Sequence, residues 1–488
     1  MTNAHRTVRF AMDGEIVEVT EPPATLTLLE YLRERLGRTG TKEGCAEGDC
    51  GACTVVLGEM APSDDRIDYR AVNSCIRFLP TLDGQELITV ESLLGDSGAL
   101  HPVQQAMVDH HASQCGFCTP GFVMSLLAMY LQSQTQERES VVDGLAGNLC
   151  RCTGYRAIVT AGCAMADYPT PTSWSREQAQ SSVRLERLRS LRRHEALSLE
   201  TFYAPRDIDA LAEALVAHPH SLLLAGGTDV GLWVTKHLRE LPPIIYIGAV
   251  CGLKRIQNTA TGIEIGAAVA LTDVWRAIVD LYPGLRDFVR RFASPPVCNA
   301  GTLCGNIANG SPVGDSMPIL IALGAEIELR RGERTRRLPL DQFYLGYQRK
   351  DLEPGEFIVS VIVPRPRPGL RVASYKVAKR FDQDISAVCA AFAMDFDGQR
   401  ITTARVAFGG MAATPARARA TEAALTGKHW SRETVEFAAA TLTRDFQPLT
   451  DLRASSEYRL LTAANLLRRF YLEQHAATNV YLDNAAEL

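Results

Sequence analysis

The chain has 488 residues, 46% hydrophobic and 22% charged, with 51 basic against 56 acidic side chains and a net charge of -5. That length suits about three or four globular domains, and a slightly acidic balance with no dominant basic stripe argues against nucleic acid or an anionic membrane as partner. The opening MTNAHRTVRF has no apolar signal core and no stretch approaches about 18 consecutive apolar residues, so neither export nor membrane spanning is expected and a cytoplasmic location is.

Residues 7 to 19 (TVRFAMDGEIVEV) read as two β-rich runs around an Asp13-Gly14 turn, a hairpin signal. A helical stretch at 27 to 37, a cysteine-bearing loop and the strand TVVLG complete a mixed α+β module ending near Thr89. The period then changes. Val103, Ala106, Met107, His110 and His111 step at helical spacing, as do Val123, Leu126, Leu127, Tyr130 and Leu131, which predicts two amphipathic helices flanking Cys115 and Cys118. Thr119 is expected to cap the second of these and Pro120 to start it.

Residues 169 to 198, rich in Pro, Ser and Arg and without a sustained apolar face, read as a solvated linker. From 199 onward β and helical patterns alternate with many glycines, and PRPRPGLR at 364 to 371 marks the start of a last domain. The expected division is 1–89, 90–168, the linker 169–198, 199–367 and 368–488. No internal repeat is evident.

Eight of the thirteen cysteines fall into two sets: Cys45, Cys50, Cys53 and Cys75, then Cys115, Cys118, Cys150 and Cys152. An odd cysteine count in an unsignalled chain favours metal ligands or core over a disulfide framework. The first set runs C-x4-C-x2-C with one distant cysteine, the plant-type [2Fe-2S] spacing. Gly44, Gly48 and Gly51 permit positive φ and a close approach of amide donors to sulfur. The competing reading is structural zinc, although zinc loops usually pair C-x2-C with C-x2-C. The second set, C-G-F-C with C-R-C-T-G-Y, suits zinc, buried thiols or iron when read alone, and a second cluster when read beside the first. Cys150 and Cys152 require a turn, which Thr153 and Gly154 supply. His101, His110 and His111 are expected to pack, and Cys163, Cys251 and Cys389 to be small buried residues. The basic RRGERTRR hairpin at 330 to 337 reads as solvated turn surface.

Two later tracts point to an anionic ligand. SLLLAGGTDVGLWVTK (221 to 236) reads as strand, glycine turn and helix, which aims amides at phosphate, with Gly226 and Gly227 allowing the approach. NAGTLCGNIANGSPVGDS (299 to 316) is irregular and rich in short donors, and the two together favour a dinucleotide.

The segments TKEGCAEGDCGACTV, HPVQQAMVDHHASQCGFCTPGF and LAGNLCRCTGY, with both glycine tracts, resemble the molybdenum hydroxylases, the xanthine dehydrogenase and aldehyde oxidase family, over roughly residues 5 to 485. The resemblance implies a multidomain α+β chain: a β-grasp ferredoxin-like domain, an all-α iron-sulfur domain, an α/β FAD-binding domain of the PCMH type and an α+β C-terminal domain. It implies two [2Fe-2S] clusters on the eight cysteines, the helical one nearer molybdenum and the N-terminal one nearer flavin. It also implies FAD contacts at Leu223, Leu224, Ala225, Gly226, Gly227, Thr228, Asp229, Val230, Phe292, Thr302, Asn306, Asp315, Ile358 and Lys376. Read without it, Phe292 is core and Lys376 a solvated side chain. The loop KRFDQDISA (379 to 387) corresponds to one beside the flavin ring in the family. Cys298 stands where the family commonly has arginine, and Cys304 where it has glycine.

With no residues left for a molybdopterin domain, the chain is expected to be the smaller subunit beside a molybdopterin-binding large subunit, in a heterotetramer of two small and two large subunits. No purine-hydroxylating residue is expected in this chain. The implied activity is transfer of electrons from the partner's molybdenum through both clusters to FAD and NAD+, during oxidation of hypoxanthine and xanthine to urate. The alternatives are the equivalent subunit of an aldehyde or N-heterocycle hydroxylase, and a non-catalytic redox-sensing or zinc-stabilised interaction protein.

Overall fold

The structure is a computed structural model that describes residues 3–63, 65–94, 98–132, 136–171 and 173–475. Its chain divides into two compact units. Unit 1 is Met1–Lys254 with Ala270–Thr272 and Ala293–Gly301, and unit 2 is Arg255–Val269, Asp273–Phe292 and Thr302–Leu488.

In unit 1 the Asp13-Gly14 turn forms as expected, both residues taking positive φ (51° and 87°), the geometry that matches strand twist. It joins β1 (Thr7–Met12) to β2 (Glu15–Thr20). With β3 (Thr54–Met60), β4 (Ile67–Asn73) and β5 (Glu86–Ile88) they make a sheet of order β2-β1-β5-β3-β4, in which β1 and β5 run parallel. The expected helix at 27 to 37 is shorter and wider: α1 (Leu28–Glu30), capped by the Thr27 hydroxyl, passes into a π-turn over Tyr31–Arg35. That keeps Leu28, Tyr31 and Leu32 in one core and turns Leu29 toward Cys53, Cys75 and Ile76.

Four helices follow: α2 (Pro102–Asp109), α3 (Thr119–Leu131), α4 (Arg138–Leu145) and α5 (Arg156–Ala164). α3 is not amphipathic. Every residue from Gly121 to Leu131 is buried, as expected of a helix apolar all round. α2 ends before His110, and His111 takes a left-handed φ of 52°. Cys118, not Thr119, is the N-cap of α3, and the Thr119 hydroxyl bonds Ser113 Oγ at 2.7 Å instead.

The 169 to 198 connector is not a free tether. It carries α6 (Arg176–Ala179) and α7 (Ser182–Leu191), and it buries Trp174, Ala179, Leu188 and Leu191. Trp174 Nε1 donates to Ser92 O at 2.9 Å, Ile67 N to Gln180 Oε1 at 2.9 Å, and Arg193 Nε to Asp83 at 2.6 Å. The sparse apolar residues were too irregular to show a face, yet each finds a partner. Beyond it, β6 (Leu197–Ser198), β7 (Phe202–Ala204), α8 (Ile208–Ala217), β8 (Leu222–Leu224), α9 (Val230–Thr235) and β9 (Ile244–Tyr246) build a sheet of order β6-β7-β9-β8 whose last three strands are parallel.

Unit 2 opens with β10 (Ile256–Asn258) and β11 (Gly262–Gly266). The helices α10 (Leu271–Leu281), α11 (Arg286–Arg290), α12 (Pro295–Ala300), α13 (Leu303–Asn309) and α14 (Ser316–Leu323) follow in the chain, α12 belonging to unit 1. Next come β12 (Glu326–Arg331), β13 (Arg334–Pro339), α15 (Leu340–Phe343), β14 (Tyr344–Gly346), β15 (Arg349–Lys350) and β16 (Phe357–Pro364), giving a sheet of order β10-β11-β16-β12-β13. The basic β12–β13 hairpin is ion-paired rather than merely solvated, Arg336 bonding both Glu356 and Asp351. The last sheet, β17 (Arg371–Val377), β18 (Val388–Asp397), β19 (Arg400–Gly409) and β20 (Ala416–Arg417), packs with α16 (Arg419–Leu425), α17 (Arg432–Asp445) and α18 (Ser456–His475) around Phe392, Phe408, Trp430 and Phe470. No helix among the described residues is long and apolar enough to cross a membrane.

His101 packs, as expected. Its Nδ1 accepts from Val103 N at 3.3 Å, capping α2, and its Nε2 lies 3.3 Å from Trp174 O. Burial lowers its pKa to about 4. Because the unfolded value lies near ~6.5, the unfolded chain takes the proton first as pH falls. The stabilisation from a neutral His101 is present above about pH 6.5 and is lost as pH drops through about 4, a loss of about 3 kcal/mol. His101→Asn keeps a capping acceptor and should flatten the acid limb of a denaturation-midpoint-against-pH curve in that window; an unchanged limb would contradict the assignment. Arg193→Ala strips Asp83 of its ion-pair partner and leaves it the Arg9 amide alone, both side chains of the pair being 9% exposed, and should cost about 3 kcal/mol. A loss under about 0.5 kcal/mol, the scale of exposed charges, would mean that the connector is a tether after all.

Candidate functional site

The first cysteine quartet is gathered by a loop between the π-turn and β3, closed by a short turn (Ser74–Ile76) after β4. Ala46, Gly48 and Gly51 take left-handed φ of 55°, 80° and 69° and curl the loop around its sulfurs. Gly44 serves differently, since a Cβ there would stand 2.8 Å from Cys50 Sγ. Amides point inward: Cys50 N and Glu47 N donate to Cys45 Sγ at 3.3 and 3.4 Å.

The sulfurs meet in short range of one another. The Cys45 thiol is bonded by those of Cys50 and Cys75, and Cys53 by Cys75. Hydrogen bonds from Cys50 and Cys75 pull the Cys45 pKa far down, while donating to Cys45 drives Cys50 and Cys75 up. Donation from Cys75 lowers Cys53 against the cost of burial. Four thiolates at this spacing need a compensating cation, and filling the site must release protons.

The second quartet lies between helices. Cys115 and Cys118 sit in the α2–α3 turn, with Gly116 at φ 82°, and Cys150 and Cys152 in the α4–α5 turn, with Gly154 at 67°. Cys115 and Cys152 sulfurs are 3.7 Å apart, and Cys118 and Cys150 form the other pair. Burial, then the Cys150 thiol, pushes Cys118 up to about 12. Burial opposes ionisation of Cys150 too, but the Thr153 hydroxyl at 3.3 Å and the amides of Thr153 and Cys152 outweigh it and lower its pKa. The expected turn at Thr153 and Gly154 forms, with the refinement that its two cysteines face different partners.

Among the described residues no three His, Cys, Asp or Glu side chains gather as a single metal ion requires. In the first quartet the sulfurs run Cys50–Cys45–Cys75–Cys53, and in the second they fall into the pairs Cys115–Cys152 and Cys118–Cys150; four thiolates in each set are what a [2Fe-2S] centre requires.

The two quartets are joined by backbone. Leu149 N, next to Cys150, donates to the Cys50 carbonyl at 2.9 Å. Asn148 Nδ2 donates to Gly51 O at 3.2 Å, and a Cβ on Gly121 would stand 2.2 Å from that same oxygen. Glycine at 121 thus sets how closely the two loops approach. No spacing rule could have revealed this junction, because its residues are 70 positions or more apart.

The first glycine tract forms the expected strand, turn and helix, β8 to α9. Its glycines have protein neighbours of their own. A Cβ on Gly226 would collide with Ala300 O at 2.0 Å, and one on Gly231 with Ile76 O at 2.6 Å, while Gly227 takes φ 75°. Gly226 is therefore required for packing against α12, which does not exclude its amide from phosphate. Gly231 seats α9 on the residue following Cys75. Leu223, Leu224, Ala225, Thr228, Asp229 and Val230 lie along this tract, and burial raises the Asp229 pKa.

Within unit 2 the remaining expected flavin positions have clear roles. Thr302 caps α13, its hydroxyl accepting from Gly305 N at 3.0 Å. Asn306 Oδ1 accepts from Ser316 Oγ. Lys376 is not solvated: it is 5% exposed, and its Nζ bonds Asp315 Oδ2 at 2.9 Å. Asp315 Oδ1 is buried without a partner, an acceptor ready for a ligand hydroxyl. Phe292 packs on Trp275, ring centroids 4.9 Å apart, and Ile358 is buried on β16. Arg291, which the sequence reading passed over, donates to Lys376 O at 2.6 Å and Phe381 O at 3.0 Å and so braces the 379 to 387 loop. Cys304 and Cys389 are buried and burial raises both thiols. Cys298 is also buried, but Cys251 is exposed and Cys163 half-buried, contrary to expectation.

Four family descriptions match in chain order: "2Fe-2S iron-sulfur cluster binding domain" over 10–79, "[2Fe-2S] binding domain" over 89–163, "FAD binding domain in molybdopterin dehydrogenase" over 195–366 and "CO dehydrogenase flavoprotein C-terminal domain" over 373–474. Xanthine dehydrogenase of Emericella nidulans is 30% identical over 98% of this chain and 40% of its own length; that of Drosophila subobscura is 32% identical over 83% and 34%. The chain thus spans about two fifths or less of these relatives. Among solved structures, a chain of carbon monoxide dehydrogenase from Hydrogenophaga pseudoflava is 30% identical with a TM-score of 0.52, and one of quinoline 2-oxidoreductase from Pseudomonas putida 86 is 26% identical with a TM-score of 0.50. Each likeness covers 55% of this chain and 94% of the other. With two thiol quartets inside the two iron-sulfur domain matches and flavin-domain matches following them, the chain belongs to the molybdenum hydroxylases, the xanthine dehydrogenase and aldehyde oxidase family, as an oxidoreductase component carrying two [2Fe-2S] clusters and FAD.

Proposed function

We propose that this chain is the electron-transfer subunit of a xanthine dehydrogenase. It takes electrons from a molybdopterin cofactor on a large partner subunit, in oxidation of hypoxanthine and xanthine to urate, and passes them through both clusters to FAD and NAD+. The clusters supply one-electron transfer and FAD the conversion to two-electron chemistry.

The observation that carries this reading is the difference in exposure between the two quartets, each of which also has two half-buried members. Cys115 and Cys152 are exposed, beside exposed Phe117, Leu149 and Tyr155. Cys53 and Cys75 are 1% and 2% exposed, and the Cys75 turn is covered by α9, the helix that follows the glycine tract. An outward quartet suits a donor on another subunit; an inward one suits a flavin held by the same chain. The Cys50–Leu149 hydrogen bond makes a short covalent and hydrogen-bonded route between them.

The protein's own groups do the positioning. The curled loop amides donate to Cys45 Sγ, the Thr153 hydroxyl lies against Cys150 Sγ, Gly121 permits the two loops to touch, and Gly231 lets α9 seat on Ile76. In unit 1, Leu223 through Val230 are the proposed FAD contacts; in unit 2 they are Phe292, Thr302, Asn306, Asp315, Ile358 and Lys376, with Asp315 Oδ1 open to a ribityl hydroxyl. The purine substrate rests on relatives named xanthine dehydrogenase. The structural likeness to carbon monoxide dehydrogenase and quinoline 2-oxidoreductase supports the second reading, the same electron chain serving a different hydroxylase. A heterotetramer of two small and two large subunits, a cytoplasmic location suited to reduced thiols and the five-part division read from the sequence complete the proposal.

In the purified complex, Cys115→Ser should abolish xanthine-to-NAD+ turnover while leaving NADH oxidation by an artificial dye within about twofold, because the dye draws on flavin alone. Loss of both activities would contradict the order of the path, and the chain by itself should oxidise NADH but not xanthine. Asp315→Asn should preserve folding yet weaken FAD retention by about tenfold, the worth of one hydrogen bond to a charged group, measured as flavin absorbance after dialysis. Full retention would remove Asp315 from the site.

A further inference from the structure

Helix α9 makes contact with the first quartet's loop that the electron path does not require. Thr235 Oγ1 donates to Ala46 O at 2.7 Å, and Lys236, immediately after the helix, donates from Nζ to the carbonyl of Cys45 at 2.7 Å. The same ammonium stands 3.7 Å from the Glu47 carboxylate. A segment that has only to position a glycine turn does not need a cation on a cluster ligand.

We infer that Lys236 is a positioning residue that sets the reduction potential of the N-terminal cluster through Cys45, with Glu47 as its counterweight. The loop's own charges oppose reduction: Glu43, Glu47 and Asp49 stand against Lys42 in TKEGCAEGDC. A thiolate-ligated [2Fe-2S] centre becomes more negative when it takes an electron, and its potential follows local charge, hydrogen bonding and exposure. Lys236 brings in positive charge from outside the loop, on the carbonyl of the cysteine whose sulfur already collects two amide donors. It therefore favours the reduced form, whereas Glu47 both anchors the ammonium and offsets part of its charge. Lys236 and Glu47 are 40% and 41% exposed, so solvent screening keeps the effect modest. Because Lys236 follows directly on the helix seated against Ile76, the group that tunes the cluster also holds it to the element following the flavin tract.

The inference rests on the first quartet holding a [2Fe-2S] cluster, and its test separates the two claims. The holo-complex is titrated from oxidised to reduced while paramagnetic resonance follows both clusters, the first being identified by the signal that Cys50→Ser alters. Lys236→Met should lower the reduced-to-oxidised ratio of that cluster about threefold at a fixed ambient potential, roughly 30 mV at about 59 mV per tenfold for one electron. Glu47→Gln should shift it the opposite way, and Lys236→Arg should restore the wild-type value. The second cluster should not move in any of them. A first-cluster ratio changed by less than about 1.5-fold in Lys236→Met, or both clusters shifting together, overturns the role of Lys236 while leaving the cluster assignment intact. Absence of a first-cluster signal from fully metallated wild type overturns both.

Discussion

The convergence of four sulfurs in each quartet is the constraint on which unit 1 depends. Each quartet brings thiols close enough for one to donate to the next, so some are driven toward thiolate and others away from it. Such a set is unfavourable until iron neutralises it, and the loops around it are shaped accordingly. Left-handed residues at 46, 48 and 51 turn amides toward Cys45, and Thr153 turns its hydroxyl toward Cys150. The scaffold leaves these loops little freedom. The Cys75 turn is pinned by β4 on one side and α9 on the other, and the second quartet hangs from the ends of four helices, among them α3, buried from Gly121 to Leu131.

Small residues decide where electrons can pass. Gly51, Gly121 and Gly231 each face backbone atoms at distances that no side chain tolerates, at the contact between the two loops and at the contact between α9 and the Cys75 turn. In a chain that relays single charges, distance matters more than shape, and glycine is the residue that lets main chains touch. The two loops also differ in exposure: Cys115 and Cys152 are exposed, Cys53 and Cys75 buried.

Much of this was legible before any coordinates. The Asp13-Gly14 hairpin, the cysteine quartets, the α+β classes and the strand-turn-helix of the first glycine tract are local signals, carried by residues that must adopt their geometry wherever they occur. The misses share a cause. The amphipathic reading of α3, the solvated-linker reading of 169 to 198 and the solvated reading that Lys376 has without the family resemblance all judged a segment by its own pattern. Burial of α3 on every side, the Asp315 carboxylate beside Lys376 and the Ile67, Asp83 and Ser92 groups that hold the connector come from distant parts of the chain. The Cys50–Leu149 bond and the Lys236–Cys45 contact were invisible for the same reason, since no periodicity joins positions so far apart.

The central claim is that the sulfurs hold iron two by two. Mössbauer spectroscopy of the iron-57-enriched, partly reduced holo-protein tests it most directly. The account predicts about four irons per FAD, with each reduced cluster showing one ferric and one ferrous site in equal amounts. Spectra of isolated single-iron sites, or a colourless zinc-loaded protein, would contradict it.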